Sequence, residues 1–168
     1  MDTVAKSNMP KKMFVYGTLR RDLGYRAKDG YSGTAEGLCR MPGVMISLGG
    51  FPGVVPWRSS DEREMGRWGG KGMQISESII GQLISYEHTS DEEWDEVLGK
   101  TDAYEGTASG MYTRQRVAVT PIEPPTDSPS PVETWVYIYN ATHIHPRNIP
   151  PLIIPSGDWA DRDMRYQL

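Results

Sequence analysis

Glycine and proline occur throughout this sequence, and their distribution constrains the fold more than any other feature. The chain has 18 glycines and 13 prolines among 168 residues, and they follow no repeat period. Both residue types interrupt regular structure, glycine because its backbone is unrestrained and proline because it lacks an amide donor. The chain is therefore predicted to form many short strands and turns rather than long helices.

Short apolar or alternating segments between these residues are predicted to be strands. They lie at residues 13–16, 34–38, 44–48, 78–86, 112–120 and 135–139. The segment 49–53 is predicted to be a turn, and the tail from residue 145 is predicted to be irregular.

One helix is predicted by its first residues. Ser90 and Glu93 form a capping box, in which each side chain can bond the other residue's amide. Trp94, Val97 and Leu98 follow on one helical face. Gly99 is the predicted end of this helix.

These elements predict an α+β fold in which a small mixed sheet curls into a β-barrel with a few flanking helices. The length fits one domain at residues 11–168, preceded by a flexible leader at residues 1–10. A charged, glycine-rich segment at about residues 56–76 is predicted to be a long surface loop. Its Trp57 and Trp68 indicate either a lid or an anchor for the loop.

Charge and composition exclude several classes of function. The net charge is -4 and no long basic run exists, which disfavours nucleic acid as a partner. Cys39 is the only cysteine, so neither an intrachain disulfide nor a cysteine-rich zinc site is expected. No signal-peptide pattern or membrane span is found, and a cytoplasmic location is expected. His143 and His145 lack a third ligand at the usual spacing, so no metal is predicted.

Two segments carry residues suited to chemistry. The first, at residues 15–19, is a strand that opens into a loop at Gly17. The amides of Gly17, Thr18 and Leu19 can bind a carboxylate or an oxyanion there. The second, at residues 102–106, places the Glu105 carboxyl among aromatic side chains, where burial would raise its pKa and suit a general base. Taken singly, each segment is typical of an ordinary strand end or helix terminus.

In this order, the motifs resemble the γ-glutamylcyclotransferase-like family, which includes γ-glutamylamine cyclotransferases and AIG2-like proteins. The chain has V-Y-G-T-L at 15–19, D-A-Y-E-G at 102–106 and Y-T-R at 112–114. W-V-Y-I-Y at 135–139 and S-G-D-W at 156–159 extend the resemblance over residues 12–160. Thr101 stands where the family usually has leucine, and the segment 56–76 is longer than compact members need.

The resemblance implies an enzyme, a cyclising acyltransferase or lyase that releases 5-oxoproline and a free amine from a small γ-glutamyl substrate. Glu105 would be the catalytic residue and would carry the proton between the two nitrogens. The loop from Tyr16 to Leu19, through Gly17 and Thr18, would bind the substrate carboxylate and the oxyanion. Tyr16 and Tyr112 would shape the pocket or donate hydrogen bonds. No metal or organic cofactor is implied.

Several alternatives remain open at this stage. The same fold can serve as a non-catalytic module that binds a small ligand or a protein, or as a lyase acting on a non-glutamyl conjugate. Neither the leaving amine nor the oligomeric state is predicted. Arg20 is assigned either to a substrate carboxylate or to solvent, and Asp102 to local amides at its turn. Asp158 and Trp159 either close the barrel or pocket or pack in the core.

Overall fold

The computed structural model describes residues 10–24, 33–56, 76–140, 152–164 and 166–167. The strands in these ranges are β1 (Lys12–Val15), β2 (Thr34–Pro42), β3 (Val44–Ser47), β4 (Pro52–Val55), β5 (Ser78–Ser85), β6 (Tyr112–Pro121), β7 (Val132–Tyr139), β8 (Leu152–Ile153) and β9 (Tyr166–Gln167). The helix α1 spans Asp91–Glu105, and 3-10 turns follow at Thr107–Ser109 and Trp159–Met164. No helix in the described ranges is long and apolar enough to cross a bilayer.

Some predicted features lie outside the described residues. They are the leader up to residue 9, most of the predicted loop at 56–76 with Trp57 and Trp68, and the histidines at 143 and 145.

Five strands close into a barrel in the order β1-β5-β2-β6-β7, which confirms the predicted α+β barrel. Neighbouring strands run antiparallel except at the closure, where β1 meets β7 in parallel through the pair Met13 and Trp135. Strand β2 shifts register between Ala35 and Gly37, a bulge that bends the strand. Bending of this kind helps a short sheet to curl into a closed barrel.

A second sheet, with strand order β4-β3-β8-β9, packs beside the barrel and was not predicted from the sequence. Residues 52–53, assigned to a turn, begin β4, and the tail assigned as irregular supplies β8 and β9. Strands of two residues are too short to show an alternating pattern. β9 pairs with β8, and β8 pairs with β3, which lies about a hundred residues earlier in the chain. The pairing of β8 with β3 is a long-range contact with no local signal.

Strand β1 lies between two hydrophobic clusters. Phe14 and Tyr16 belong to one cluster, whereas Met13 and Val15 belong to the other. Successive side chains of a strand point to opposite faces, so a strand buried on both faces must be apolar throughout. Burial on both faces explains the unbroken apolar run from which β1 was predicted.

Helix α1 begins as predicted. The Glu93 amide donates to Ser90 Oγ at 3.1 Å, and the Ser90 amide donates to Glu93 Oε2 at 2.9 Å. This reciprocal pair is the capping box.

The predicted end at Gly99 is wrong, because α1 continues to Glu105. A glycine inside a helix costs only about 1 kcal/mol relative to alanine, and burial of Trp94 and Thr101 outweighs it. The helix ends instead at Gly106, whose φ of 67° is left-handed. Glu105 is therefore the last helical residue rather than part of a following loop.

Candidate active site

A cavity of about 360 Å³ lies where four parts of the chain meet. It is lined by residues 14–19 at the exit of β1, 50–52 before and at the start of β4, 104–105 at the end of α1, and 111–112 at the start of β6, together with Tyr137. Every residue that the sequence predicted for the site lines this cavity: Tyr16, Gly17, Thr18, Leu19, Glu105 and Tyr112. Their chemical roles remain predictions.

The loop after β1 lines the cavity, and it carries backbone donors without a described partner. The Arg20 amide donates to the Gly17 carbonyl at 3.0 Å and closes a tight turn. Within the described part of the chain, the amides of Gly17, Thr18 and Leu19 donate to no acceptor. Backbone amides normally find a partner, so three consecutive lining residues whose amides have no described acceptor are suited to bind an anionic or carbonyl oxygen.

Gly17 is required here by close packing. A Cβ atom at this position would lie 2.6 Å from Pro52 Cγ of β4. The absence of a side chain lets Pro52 of the second sheet pack directly against the loop after β1, and both residues line the cavity.

Glu105 provides the only carboxyl group among the described cavity-lining residues. Its carboxylate makes no hydrogen bond or ion pair with the residues that the structure describes, and α1 has no basic residue in its last turn. Burial raises the pKa of Glu105 from its usual 4.5 to about 7, because the charged form loses hydration and gains no partner. This carboxyl can therefore both accept and release a proton near neutral pH.

Tyrosines form the walls around Glu105, and their hydroxyl protons are already committed. Tyr16 donates to the Tyr137 carbonyl at 2.6 Å, and Tyr112 donates to the Pro52 carbonyl at 2.7 Å. Burial raises the pKa of both phenols, and the nearby Glu105 charge raises them further. Both rings stay neutral and hold the cavity shape, so of the two roles predicted for Tyr16 and Tyr112, the geometry favours shaping.

Asp102 lies one helical turn before Glu105, and its environment is opposite. Its carboxylate accepts from the Tyr137 hydroxyl at 2.7 Å and lies 3.2 Å from an Arg114 guanidinium nitrogen. The prediction that Asp102 bonds local amides is wrong, since its partners come from β6 and β7 across the barrel. Asp102 therefore ties α1 to the barrel.

Arg20 is neither solvated nor directed at a substrate. Its side chain is 2% exposed and contacts Asp22 and Asp158, each at 2.6 Å. Burial opposes the charge on Arg20, but the hydrogen bonds with Asp22 and Asp158 outweigh burial and raise the Arg20 pKa. We call Arg20, Asp22 and Asp158 the Arg20 cluster. Asp22 lies two residues from Arg20 in the sequence, whereas Asp158 lies 138 residues away. Trp159 packs in the hydrophobic core. Of the two alternatives predicted for Trp159, core packing is therefore confirmed.

Sequence reasoning missed four other lining residues: Gly50, Phe51, Pro52 and Met111. Gly50 and Phe51 lie in a turn, Pro52 begins β4 and Met111 precedes β6, and no motif marks them. Tyr104 was noted only as a neighbour of Glu105. Its hydroxyl lies 3.1 Å from Thr18 Oγ1 and links α1 to the loop after β1. The described residues contain no cluster of three His, Cys, Asp or Glu side chains suited to a metal ion.

The chain matches the family model described as gamma-glutamyl cyclotransferase, AIG2-like, over residues 13–161. It therefore belongs to this family, as its motifs predicted. No curated protein matches the sequence.

Several solved structures are similar to this chain at low sequence identity. YkqA from Bacillus subtilis is 21% identical with a TM-score of 0.52, and the match covers 93% of this chain and 42% of that longer protein. An AIG2-like protein from Mus musculus is 22% identical with a TM-score of 0.48, covering 82% and 81% of the two chains. Protein PH0828 from Pyrococcus horikoshii is 16% identical with a TM-score of 0.47, covering 91% and 92%.

Proposed function

We propose that this protein releases 5-oxoproline and a free amine from γ-glutamyl amides, with Glu105 as the proton carrier. One observation carries the proposal. A carboxyl group without a described partner, with its pKa raised to about 7, shares a cavity with three backbone amides that are also without described partners. Family membership supports the reaction class.

The reaction is an intramolecular acyl transfer. The substrate's α-nitrogen attacks its own γ-carbonyl carbon, a new C–N bond closes the five-membered lactam, and the C–N bond to the leaving amine breaks. No water is consumed. Because both reacting groups belong to one molecule, the protein must mainly hold the glutamyl chain in its folded-back conformation.

Proton transfer is the task assigned to Glu105. The α-ammonium cannot attack until it loses a proton, and the leaving nitrogen cannot depart until it gains one. The α-ammonium titrates at a higher pH than Glu105, and the raised pKa of Glu105 narrows the gap that the proton must cross. The ionised Glu105 takes one proton from the α-ammonium before the attack and passes it to the leaving nitrogen. The second proton leaves the α-nitrogen as the lactam forms, moves to Glu105, and ends on the released amine as its ammonium form.

The amides of Gly17, Thr18 and Leu19 are assigned to the negative charges of the substrate. One negative charge is that of the α-carboxylate. The other develops on the γ-carbonyl oxygen as the ring closes. Fixed backbone donors stabilise such charge without reorganising during the reaction. Tyr16 and Tyr112 exclude water from the space between these amides and Glu105.

The direct test is incubation of the purified protein with γ-glutamyl amines, γ-glutamyl dipeptides and glutathione, with 5-oxoproline detected by mass spectrometry. We expect oxoproline from at least one substrate. Glu105→Gln, which keeps the shape but removes the base, should lower turnover by at least ~100-fold.

Asp102→Asn is the matched control, since it makes the same chemical change one turn away. It should lower turnover by less than about tenfold, because Asp102 does not line the cavity. Thermal stabilisation by these compounds without oxoproline release would support a binding module instead. Near-native turnover by Glu105→Gln would refute its role.

A further inference from the structure

Two large hydrophobic side chains are exposed in the described part of the chain, and both line this cavity. Phe51 is 38% exposed and Tyr104 is 42% exposed. All other large hydrophobic residues described are buried or partly covered. Exposed apolar side chains gathered at the rim of a cavity are typical of a surface that a ligand covers.

Hydrogen bonds hold the Tyr104 side chain and the backbone of Phe51. The Tyr104 hydroxyl is hydrogen-bonded to Thr18 Oγ1 across the cavity rim. Phe51 lies in the turn between β3 and β4, which the Leu48 amide closes by donating to the Phe51 carbonyl at 2.9 Å. Pre-positioned rings lose little entropy when a ligand packs against them, so they bind apolar groups efficiently.

The described lining of the cavity offers no cation to a second carboxylate. Among the described lining residues, Glu105 carries the only charge, and it is negative when ionised. Arg20 is buried against Asp22 and Asp158, and Arg114 is paired with Asp102; neither lines the cavity. A carboxylate on the leaving amine would therefore lack a described partner and would be repelled by Glu105.

We propose that the leaving amine carries an uncharged apolar or aromatic group that packs between Phe51 and Tyr104. This inference rests on the proposed cyclisation and assigns its substrate class: γ-glutamyl amides of apolar amines rather than γ-glutamyl amino acids. Phe51 and Tyr104 are the specificity-determining residues, and the inner part of the cavity takes the γ-glutamyl group common to both classes.

Three synthetic substrates test the proposal with the wild-type protein. γ-Glutamyl-phenethylamide and γ-glutamylphenylalanine differ only by one carboxylate, and γ-glutamyl-ethylamide lacks the ring. We expect kcat/KM for the phenethylamide to exceed that of each other substrate by at least ~10-fold. Equal or faster turnover of γ-glutamylphenylalanine would overturn the inference while leaving the cyclisation intact. Oxoproline from none of the three, with release from another γ-glutamyl compound, would overturn the inference and leave the cyclisation intact. Release from no γ-glutamyl compound would refute both.

Two variants test the cavity rim, at Phe51 and at the neighbouring Gly50. Phe51→Ser removes one ring, and the preference for phenethylamide over ethylamide should fall by about tenfold. Gly50→Lys adds a cation beside the ring, at a position where a Cβ atom meets no neighbour within 4 Å. This variant should raise kcat/KM for γ-glutamylphenylalanine relative to phenethylamide by about tenfold.

Gly99→Lys is the control for added charge, because Gly99 lies on the exposed face of α1 and its Cβ position is also open. It should leave the substrate ratio unchanged. A Gly50→Lys variant with the same ratio as Gly99→Lys would show that the cavity rim does not contact the leaving amine, and the proposal would fail.

Discussion

The Arg20 cluster and the Glu105 cavity both bury charge, but they treat it in opposite ways. Arg20 is almost fully enclosed, and two aspartates balance its charge. Glu105 is partly enclosed, and no described residue balances it. A buried charge with partners holds elements together, whereas one without partners is destabilising and is retained where chemistry needs it. The contrast therefore separates a structural charge from the charge to which we assign a function.

The largest effect on stability is expected from breaking the compensated cluster. Arg20→Met should lower the free energy of unfolding by about 3 kcal/mol, since two carboxylates lose their shared partner and three hydrogen bonds are lost. Urea denaturation followed by tryptophan fluorescence measures this change. Asp22→Asn, which removes one partner, should give a smaller decrease. Unchanged stability in Arg20→Met would mean that the cluster is not structural.

Removing the uncompensated charge of Glu105 should raise the free energy of unfolding. The raised pKa of Glu105 corresponds to on the order of 3 kcal/mol of penalty for the ionised form. Glu105→Gln still buries an amide, so we expect a net gain of about 2 kcal/mol in unfolding free energy at pH 8. Urea denaturation at pH 4 and at pH 8 provides the comparison.

The pH dependence follows from the direction of the shift. Below pH 4.5 the Glu105 carboxyl is protonated in both folded and unfolded chains, so its ionisation imposes no penalty. As the pH rises from 4.5 through 7, the unfolded chain releases the proton first and the native state loses relative stability. The gain from Glu105→Gln should therefore grow over this window and then level off. A gain that is constant with pH would contradict the raised pKa.

Asp102→Asn should have the smallest effect on stability of these variants. It compares two carboxylates of the same helix, Asp102 and Glu105. The ion pair of Asp102 with Arg114 is partly solvated, and asparagine can still accept from the Tyr137 hydroxyl. We expect a loss of about 0.5 to 1 kcal/mol in unfolding free energy at pH 8. The same carboxylate-to-amide change thus destabilises at position 102 and stabilises at position 105. A stabilising Asp102→Asn would show that the two carboxylates are not distinct.

The features predicted correctly from the sequence are mostly local. The apolar run of β1 and the capping box at Ser90 depend on neighbours within a few residues, and both are confirmed. The end of α1 was wrong because glycine's intrinsic preference was weighed without the packing of Trp94 and Thr101. Local preference is a weak guide wherever tertiary contacts compete with it.

The site was predicted in part because its motifs sit at element ends. Gly17 marks the exit of β1, and Glu105 marks the end of α1. Phe51 and Arg20 show the limit of this reasoning. Phe51 reaches the cavity through the turn between β3 and β4, and Arg20 finds its second partner in the C-terminal tail. Both placements depend on closure of the fold, which local sequence does not encode.

The most direct test of the account is the titration of Glu105 itself. Carbon-13 NMR of protein labelled at glutamate carboxyl carbons follows each ionisation, and the Glu105→Gln variant identifies the missing resonance. We predict a midpoint at about pH 7 for Glu105. A midpoint near the usual 4.5 would show that the carboxylate is solvated or paired, and it would contradict its assignment as an uncompensated proton carrier.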